Sequence, residues 1–263
     1  LALDDSLTQF FPEGPAAWDD ITVHHVLTHQ AGFPGVGGGS QGWTNEEVLS
    51  WLLEQPLEFD PGSAFFYTDT AYIMLALLIE RVADQPFETF MEDRIFSPLG
   101  MESSEIVSRF PPDVIGGAIS YLGTQRYEWP KRAVGASSQY SSIADLMQWE
   151  LGLRDVTLVS AETLELAFTG HVADPDIEAC EYGYGWNICD QDGWPPHQTH
   201  SGRHNGFRSG FYRAPSTGLA IAMVSNGTFI GNFGPLVLDV GYLHENGELP
   251  PQPKASAGLE LAR

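Results

Sequence analysis

Apolar positions change their spacing several times along the chain, and each change marks an element. Residues 1–20 read as an extended entry segment with turns at Pro12-Glu13-Gly14-Pro15. Thr22 then precedes a short helical run, Val23 to Gln30, and a glycine-rich loop follows from Gly32 to Gly42. Thr44 with Glu47 three positions on is a capping box, in which side chain and backbone satisfy each other's donors, so a helix opens there and runs to about Glu54. Pro56 and Pro61-Gly62 force a loop. From Thr70 to about Ala83 the sequence is apolar nearly all round, the pattern of a buried helix. Pro86 suits the first position of another helix, through about Arg94. Residues 97–135 read as irregular, and Ile143 to Leu153 and Ala161 to Phe168 as further helices.

Near residue 182 the period shortens to two. Tyr182 to Ile188, His197 to His200, Arg208 to Arg213 and Leu219 to Ser225 read as strands, with Pro215-Ser216-Thr217-Gly218 as the turn of a closing hairpin and Phe233 to His244 as a final helix. Helices followed by antiparallel strands make an α+β chain. We expect one domain over 1–245, mainly helical over 1–181 and strands plus closing helix over 182–245, then a Pro-rich tail or linker over 246–263. Leu1 rather than Met at the start reads as a chain processed or cut from something longer.

Composition narrows the function classes. At 43% hydrophobic the chain can bury a core. Its longest apolar run lies within Thr70 to Ala83, too short for the roughly 18 residues that cross a bilayer, so no transmembrane segment is expected. A net charge of −23 repels phosphate backbones and anionic lipid, which argues against a nucleic-acid partner. Among the 12 basic residues only Lys131 and Lys254 are lysines. Cys180 and Cys189 close a short loop and are equally readable as a disulfide or as free thiols.

Three groups could carry chemistry. His25 and His29 share a helix face, as metal ligands can, but no third ligand is signalled, so with His24 they read as buried or capping histidines and no metal is expected. Gly38-Gly39-Ser40-Gln41-Gly42 matches the nucleophile-elbow pattern, yet the glycines and proline before it cannot form the strand which that elbow needs, so it reads as a loop. Tyr67 precedes the entrance of the buried helix, and His200-Ser201-Gly202 ends a strand; by spacing alone these are a packed aromatic and a capped loop.

Four segments in order change that picture: Ile21 to Pro34, Pro61 to Tyr72 with Ile95 to Met101, Gly135 to Leu146, and His200 to Gly227. Together they resemble the β-lactamase-related serine hydrolases, which comprise class C β-lactamases, DD-peptidases and related esterases. The resemblance implies a β-lactamase/transpeptidase-like fold, helical subdomain plus antiparallel sheet. It also implies acyl transfer through a serine ester without metal or organic cofactor, on a small-molecule ester, amide or peptide substrate. In that family the Ser of an S-x-x-K motif attacks, its Lys and the Tyr of a Y-x-N motif move the proton, and a K-T-G or H-x-G strand supplies a cation and an oxyanion-hole N–H. By this resemblance Tyr67 is the proton-transfer tyrosine and His200 occupies the cation's position, with Ser201, Gly202 and Arg203 beside the substrate and the Arg203 N–H as an oxyanion donor. The family also favours a periplasmic or secreted location over others; the oligomeric state stays open.

Two departures follow. The motif's Asn is Asp69, whose ionised carboxylate cannot donate to a substrate carbonyl; it suits pairing with a catalytic Lys, or capping the helix at Thr70. S-x-x-K is also absent, because Glu128 stands three residues before Lys131 and Pro251 three before Lys254. The opening Leu1 to Asp5 resembles a family stretch that follows the nucleophile helix. The expectation is therefore a serine-hydrolase chain lacking its N-terminal strands and nucleophile helix, inactive alone, or alternatively a non-catalytic scaffold that binds a ligand or partner.

Overall fold

The computed structural model describes residues 1–36, 42–108, 133–177, 179–204, 206–227 and 233–250, and the backbone of 121–122 and 125–126. The helices are α1 (Val23–Leu27), α2 (Asn45–Leu52), α3 (Asp69–Ala83), α4 (Phe87–Met91), α5 (Ser97–Leu99), α6 (Ile143–Arg154), α7 (Ala161–Ala167) and α8 (Phe233–Asn246). Two small strand pairs lie in the middle of the chain, β1 (Glu105–Ile106) with β4 (Gln139–Tyr140) and β2 (Tyr121–Leu122) with β3 (Gln125–Arg126). The main sheet comprises β5 (Val172–Ala173), β6 (Cys180–Tyr182), β7 (Asn187–Cys189), β8 (His197–His204), β9 (Phe207–Ala214) and β10 (Leu219–Ser225), in the order β10-β9-β8-β7-β6-β5 and antiparallel throughout.

The helical layer is built around α3. Thr68 caps it by accepting from the Thr70 N–H, and Ile73, Met74, Leu77 and Leu78 are buried along its length. Met74, Leu77 and Leu78 join Leu7, Trp18, Val26, Phe33, Leu49 and Leu52 in one core cluster. Each fully buried side chain of this class contributes about 1.5–3 kcal/mol, so packing rather than helix propensity holds the layer. The Thr44–Glu47 box forms as expected, with the Thr44 N–H donating to Glu47 Oε2 at 2.7 Å. The entry segment is not extended: 3-10 turns at Leu7–Gln9 and Ala16–Trp18 fold it back, and Leu7, Phe11 and Trp18 are buried.

On the sheet, α8 packs across β8, β9 and β10, with Val237 against Tyr212. Gly241 permits the approach, since a Cβ there would meet the Tyr212 ring at 3.0–3.1 Å. The helix α6 lies on β10 and reaches β9 through an ion pair between Glu150 and Arg213. Among the described residues no helix is long and apolar enough to cross a membrane.

Several boundaries differ from the sequence expectation. The helix from Pro86 does not end near Arg94; it passes through a π-helical turn (Glu92–Phe96) into α5 and stops at Gly100, whose φ of +67° breaks it. Tyr182 to Ile188 is not one strand, because Gly183 to Trp186 turn the chain, with the Gly183 N–H on the Trp186 carbonyl at 2.8 Å. The sheet also begins at Val172, ahead of the expected change at 182. Cys180 and Cys189 stand opposite each other on β6 and β7 and are joined as a disulfide. The Gly38–Gly42 segment lies almost wholly outside the described residues.

Candidate active site

The end of α1 sets up one wall of the site. Its last turn closes by two main-chain bonds, Gln30 N–H to the His25 carbonyl at 2.7 Å and His29 N–H to the Val26 carbonyl at 3.3 Å. This is a Schellman stop, which puts the following residue in the left-handed region and is usually glycine there. Here it is His29, with φ +58°, at a cost of about 1–2 kcal/mol for a residue with a Cβ.

His29 faces the loop that enters α3. Its carbonyl accepts from the Phe66 N–H at 3.0 Å and its Nδ1 from the Thr68 N–H at 3.3 Å. Tyr67, between those two donors, packs its ring on the imidazole at a centroid distance of 4.4 Å. Tyr72 on α3 and Tyr182 on β6 each approach the same imidazole at 5.0 Å. His200 on β8 completes the group, 6.2 Å from Tyr67 between ring centroids and with its Nε2 3.4 Å from the Tyr182 hydroxyl. A half-open cleft of about 100 Å³ lies between the helical layer and the sheet, lined by His29, Tyr67, Asp69, Tyr72, Tyr182 and His200 among others.

Of the residues singled out from sequence, the fold brings Tyr67, Asp69 and His200 to this cleft. Ser201, Gly202 and Arg203 continue along β8 and do not line it; they pair with Gly210, Ser209 and Arg208 of β9. The cap of α3 is Thr68, and Asp69 is the first helical residue, so capping is not the role of Asp69. Of the other α1 histidines, His25 Nδ1 accepts from the Thr22 N–H at 3.3 Å and His24 Nδ1 lies 2.9 Å from the Tyr184 hydroxyl.

Burial pulls His200 below its ordinary value, opposed by its bond to the Ser201 backbone and by Asp174. Burial thus works against a positive charge on His200, at the position where the resemblance places the family's cation. Tyr67 is 48% exposed as a residue, yet its phenol is on the cleft side, where burial, then the carboxylates of Asp69 and Asp174, push it up to about 12. Burial also raises Tyr72, whose hydroxyl donates to the Leu27 carbonyl at 3.1 Å, and Tyr182. His29 is held down at about 3, mainly by burial and then by His200.

A family model described as beta-lactamase matches residues 1–235. The chain belongs to the beta-lactamase family. A penicillin-binding protein of Bacillus subtilis (strain 168) is 23% identical over 235 residues, 76% of this chain and 51% of that protein. A putative D-alanyl-D-alanine carboxypeptidase of Escherichia coli O157:H7 is 27% identical over 207 residues, 64% of this chain and 46% of that protein. The chain thus spans about half the length of the curated relatives it matches. In fold it is similar to the octameric penicillin-binding protein homologue from Pyrococcus abyssi, with a TM-score of 0.78 at 24% identity over 93% of this chain and 59% of that one. The α+β architecture expected of the family is the one observed.

The cleft holds three residues that sequence reasoning did not select for it, His29, Tyr72 and Tyr182. His29 and Tyr72 sit inside segments that resemble the family, but their neighbours gave no sign of which side chains meet. Tyr182 had one usable signal, the glycines at 183 and 185, which mark a turn that ends its strand beside the cleft.

Proposed function

We propose that this chain supplies the tyrosine and strand side of a serine acyl-transfer site that hydrolyses ester or amide bonds in a small substrate or peptide. The observation that carries it is the meeting of Tyr67 and His200, far apart in sequence, across one cleft between helices and sheet. Tyr67 is the proton-transfer group, and His200 is a partner that orients substrate or the Tyr182 hydroxyl. Asp69 serves an incoming cation rather than an acyl carbonyl, since a carboxylate only accepts. Ser201, Gly202 and Arg203, which continue β8 outside the cleft, would meet only a substrate that extends past His200. An amide or peptide substrate is favoured by the relative named as a putative D-alanyl-D-alanine carboxypeptidase.

At about 12, the Tyr67 phenol is protonated at neutral pH, so it can donate a proton but is a weak base. A cation within about 4–6 Å would lower it by roughly 1–3 units. In the family that cation is the Lys of S-x-x-K, and no such motif occurs in these 263 residues. We therefore propose that the chain alone forms no acyl-enzyme. Incubated with a fluorophosphonate, fluorescent penicillin, nitrocefin and a p-nitrophenyl ester, it is expected to give neither label nor turnover; stoichiometric labelling at a serine overturns this. In a polypeptide that joins this chain to an S-x-x-K segment, Tyr67→Phe should slow acylation by about 10²–10⁴-fold. Unchanged acylation in that variant rejects the role of Tyr67.

A further inference from the structure

We infer that His29 is a positioning residue for Tyr67, gripping the main chain on both sides of the tyrosine and seating its ring. The Phe66 N–H bonds the His29 carbonyl and the Thr68 N–H bonds its Nδ1, so one residue holds both donors that flank Tyr67. The imidazole then stacks on the Tyr67 ring at 4.4 Å with the planes 37° apart. Phe65, Tyr72 and Tyr182 close around the other sides of His29, leaving it 2% exposed.

Two further observations separate this role from ordinary core filling. A Schellman stop favours glycine, and the chain keeps a histidine there against its backbone preference. An apolar core would also not retain His29 Nε2, which is buried with no hydrogen-bond partner among the described residues. Because Nδ1 accepts from Thr68, the proton of the neutral ring is on Nε2. Burial, followed by the neighbouring His200, keeps the ring uncharged and Nδ1 able to accept. The titratable groups that face Tyr67 in the cleft are His29, Tyr72, Tyr182, His200 and Asp69, with Asp174 acting on it from the β5 side.

The inference deepens the proposed function and rests on it for the purpose of holding Tyr67, but its test needs no turnover. The protein is labelled with 3-fluorotyrosine, and the Tyr67 ¹⁹F resonance is assigned by its loss in Tyr67→Phe. In His29→Gly, which suits the left-handed backbone, the Tyr67 titration midpoint should fall by about one unit or more as water enters. His29→Asn tolerates that backbone and has an oxygen to accept from Thr68, so it should return the midpoint most of the way to wild type. Lost packing alone would lower the midpoint in both variants, so its return in His29→Asn is what separates positioning from core filling. An unchanged midpoint in folded His29→Gly, or His29→Asn no closer to wild type than His29→Gly, overturns the inference. Should His29→Gly not fold, ¹⁵N imidazole spectra of the wild type decide. The neutral Nε2–H form should persist from about pH 8 to 5; a cationic ring or the Nδ1–H form refutes the assignment. Failure of acylation with this response intact removes the functional reading alone, and the converse removes only this one.

Discussion

Removing Glu150 should destabilise the chain far more than removing its exposed partner. Glu150 on α6 is 3% exposed and accepts from Arg213 Nε at 2.8 Å and from Arg154 Nε at 2.6 Å. Arg213 is equally buried, with Gln198 Oε1 at 3.0 Å and the Phe168 ring 4.6 Å beneath its guanidinium. Glu150→Leu therefore strands a buried cation on one amide oxygen and one ring face, a change worth about 3–5 kcal/mol. For a chain of this size that is a fall in Tm of about 10 °C. Arg154 is 37% exposed on its side chain, so Arg154→Ala should cost about 1 kcal/mol or less. The double variant Glu150→Leu/Arg213→Met replaces both buried charges by apolar volume and should recover most of the loss, because the desolvation of each ion is then avoided. Urea unfolding followed by circular dichroism, run as a double-mutant cycle, measures all of this. Equal costs for Glu150→Leu and Arg154→Ala, or a double variant no better than Glu150→Leu, would refute the reasoning. The pair matters to the site because Arg213 stands opposite Gln198 on β8, two residues before His200.

Acid should weaken the fold through His29. Its folded value of about 3 is below the ordinary 6.5, so between those limits the unfolded chain binds the extra proton and stability falls as the pH is lowered, by up to about 1.4 kcal/mol per unit from this group; unfolding midpoints in urea from pH 7 to 4 should show that slope, and His29→Asn should flatten it. Reduction of Cys180–Cys189, which closes a loop with a sequence separation of 9, should lower stability by about 2–3 kcal/mol on the chain-entropy account. Paired melts with and without a thiol reductant check this, and identical Tm values would show that the β6–β7 pairing holds without the bond.

How much was legible in sequence depended on how local each signal was. The Thr44–Glu47 box and the apolar surround of α3 are contained in a few adjacent residues, and both were read correctly. The cap of α3 was misjudged by one position, because Asp69 and Thr68 are both good caps and only the loop's path, pinned by His29, selects Thr68. The entry segment failed for the opposite reason. Its apolar residues have no helical or strand period, and they fold back only because the buried face of α3 offers Leu7 and Trp18 a core. Tyr67 and His200 were identified through family resemblance, since no spacing rule joins a loop before a helix to a strand so much later in the chain.

Charge in the cleft was the least legible property, because it depends on neighbours from segments far apart in the chain. Asp69 follows Tyr67 by two residues, but Asp174 comes from the turn after β5 and His200 from β8. Burial, and then the two carboxylates, make Tyr67 a poor base, which looks contrary to acyl transfer. The same carboxylates, however, are what an ammonium group placed beside the phenol would meet. A cation arriving there would offset part of the rise in Tyr67, whose largest cause is burial. A single cation at about 4–6 Å, worth roughly 1–3 units, would bring the phenol from about 12 to about 9–11, around its ordinary 10. The ionisation of Tyr67 is therefore the property that reports whether a cation stands beside the phenol.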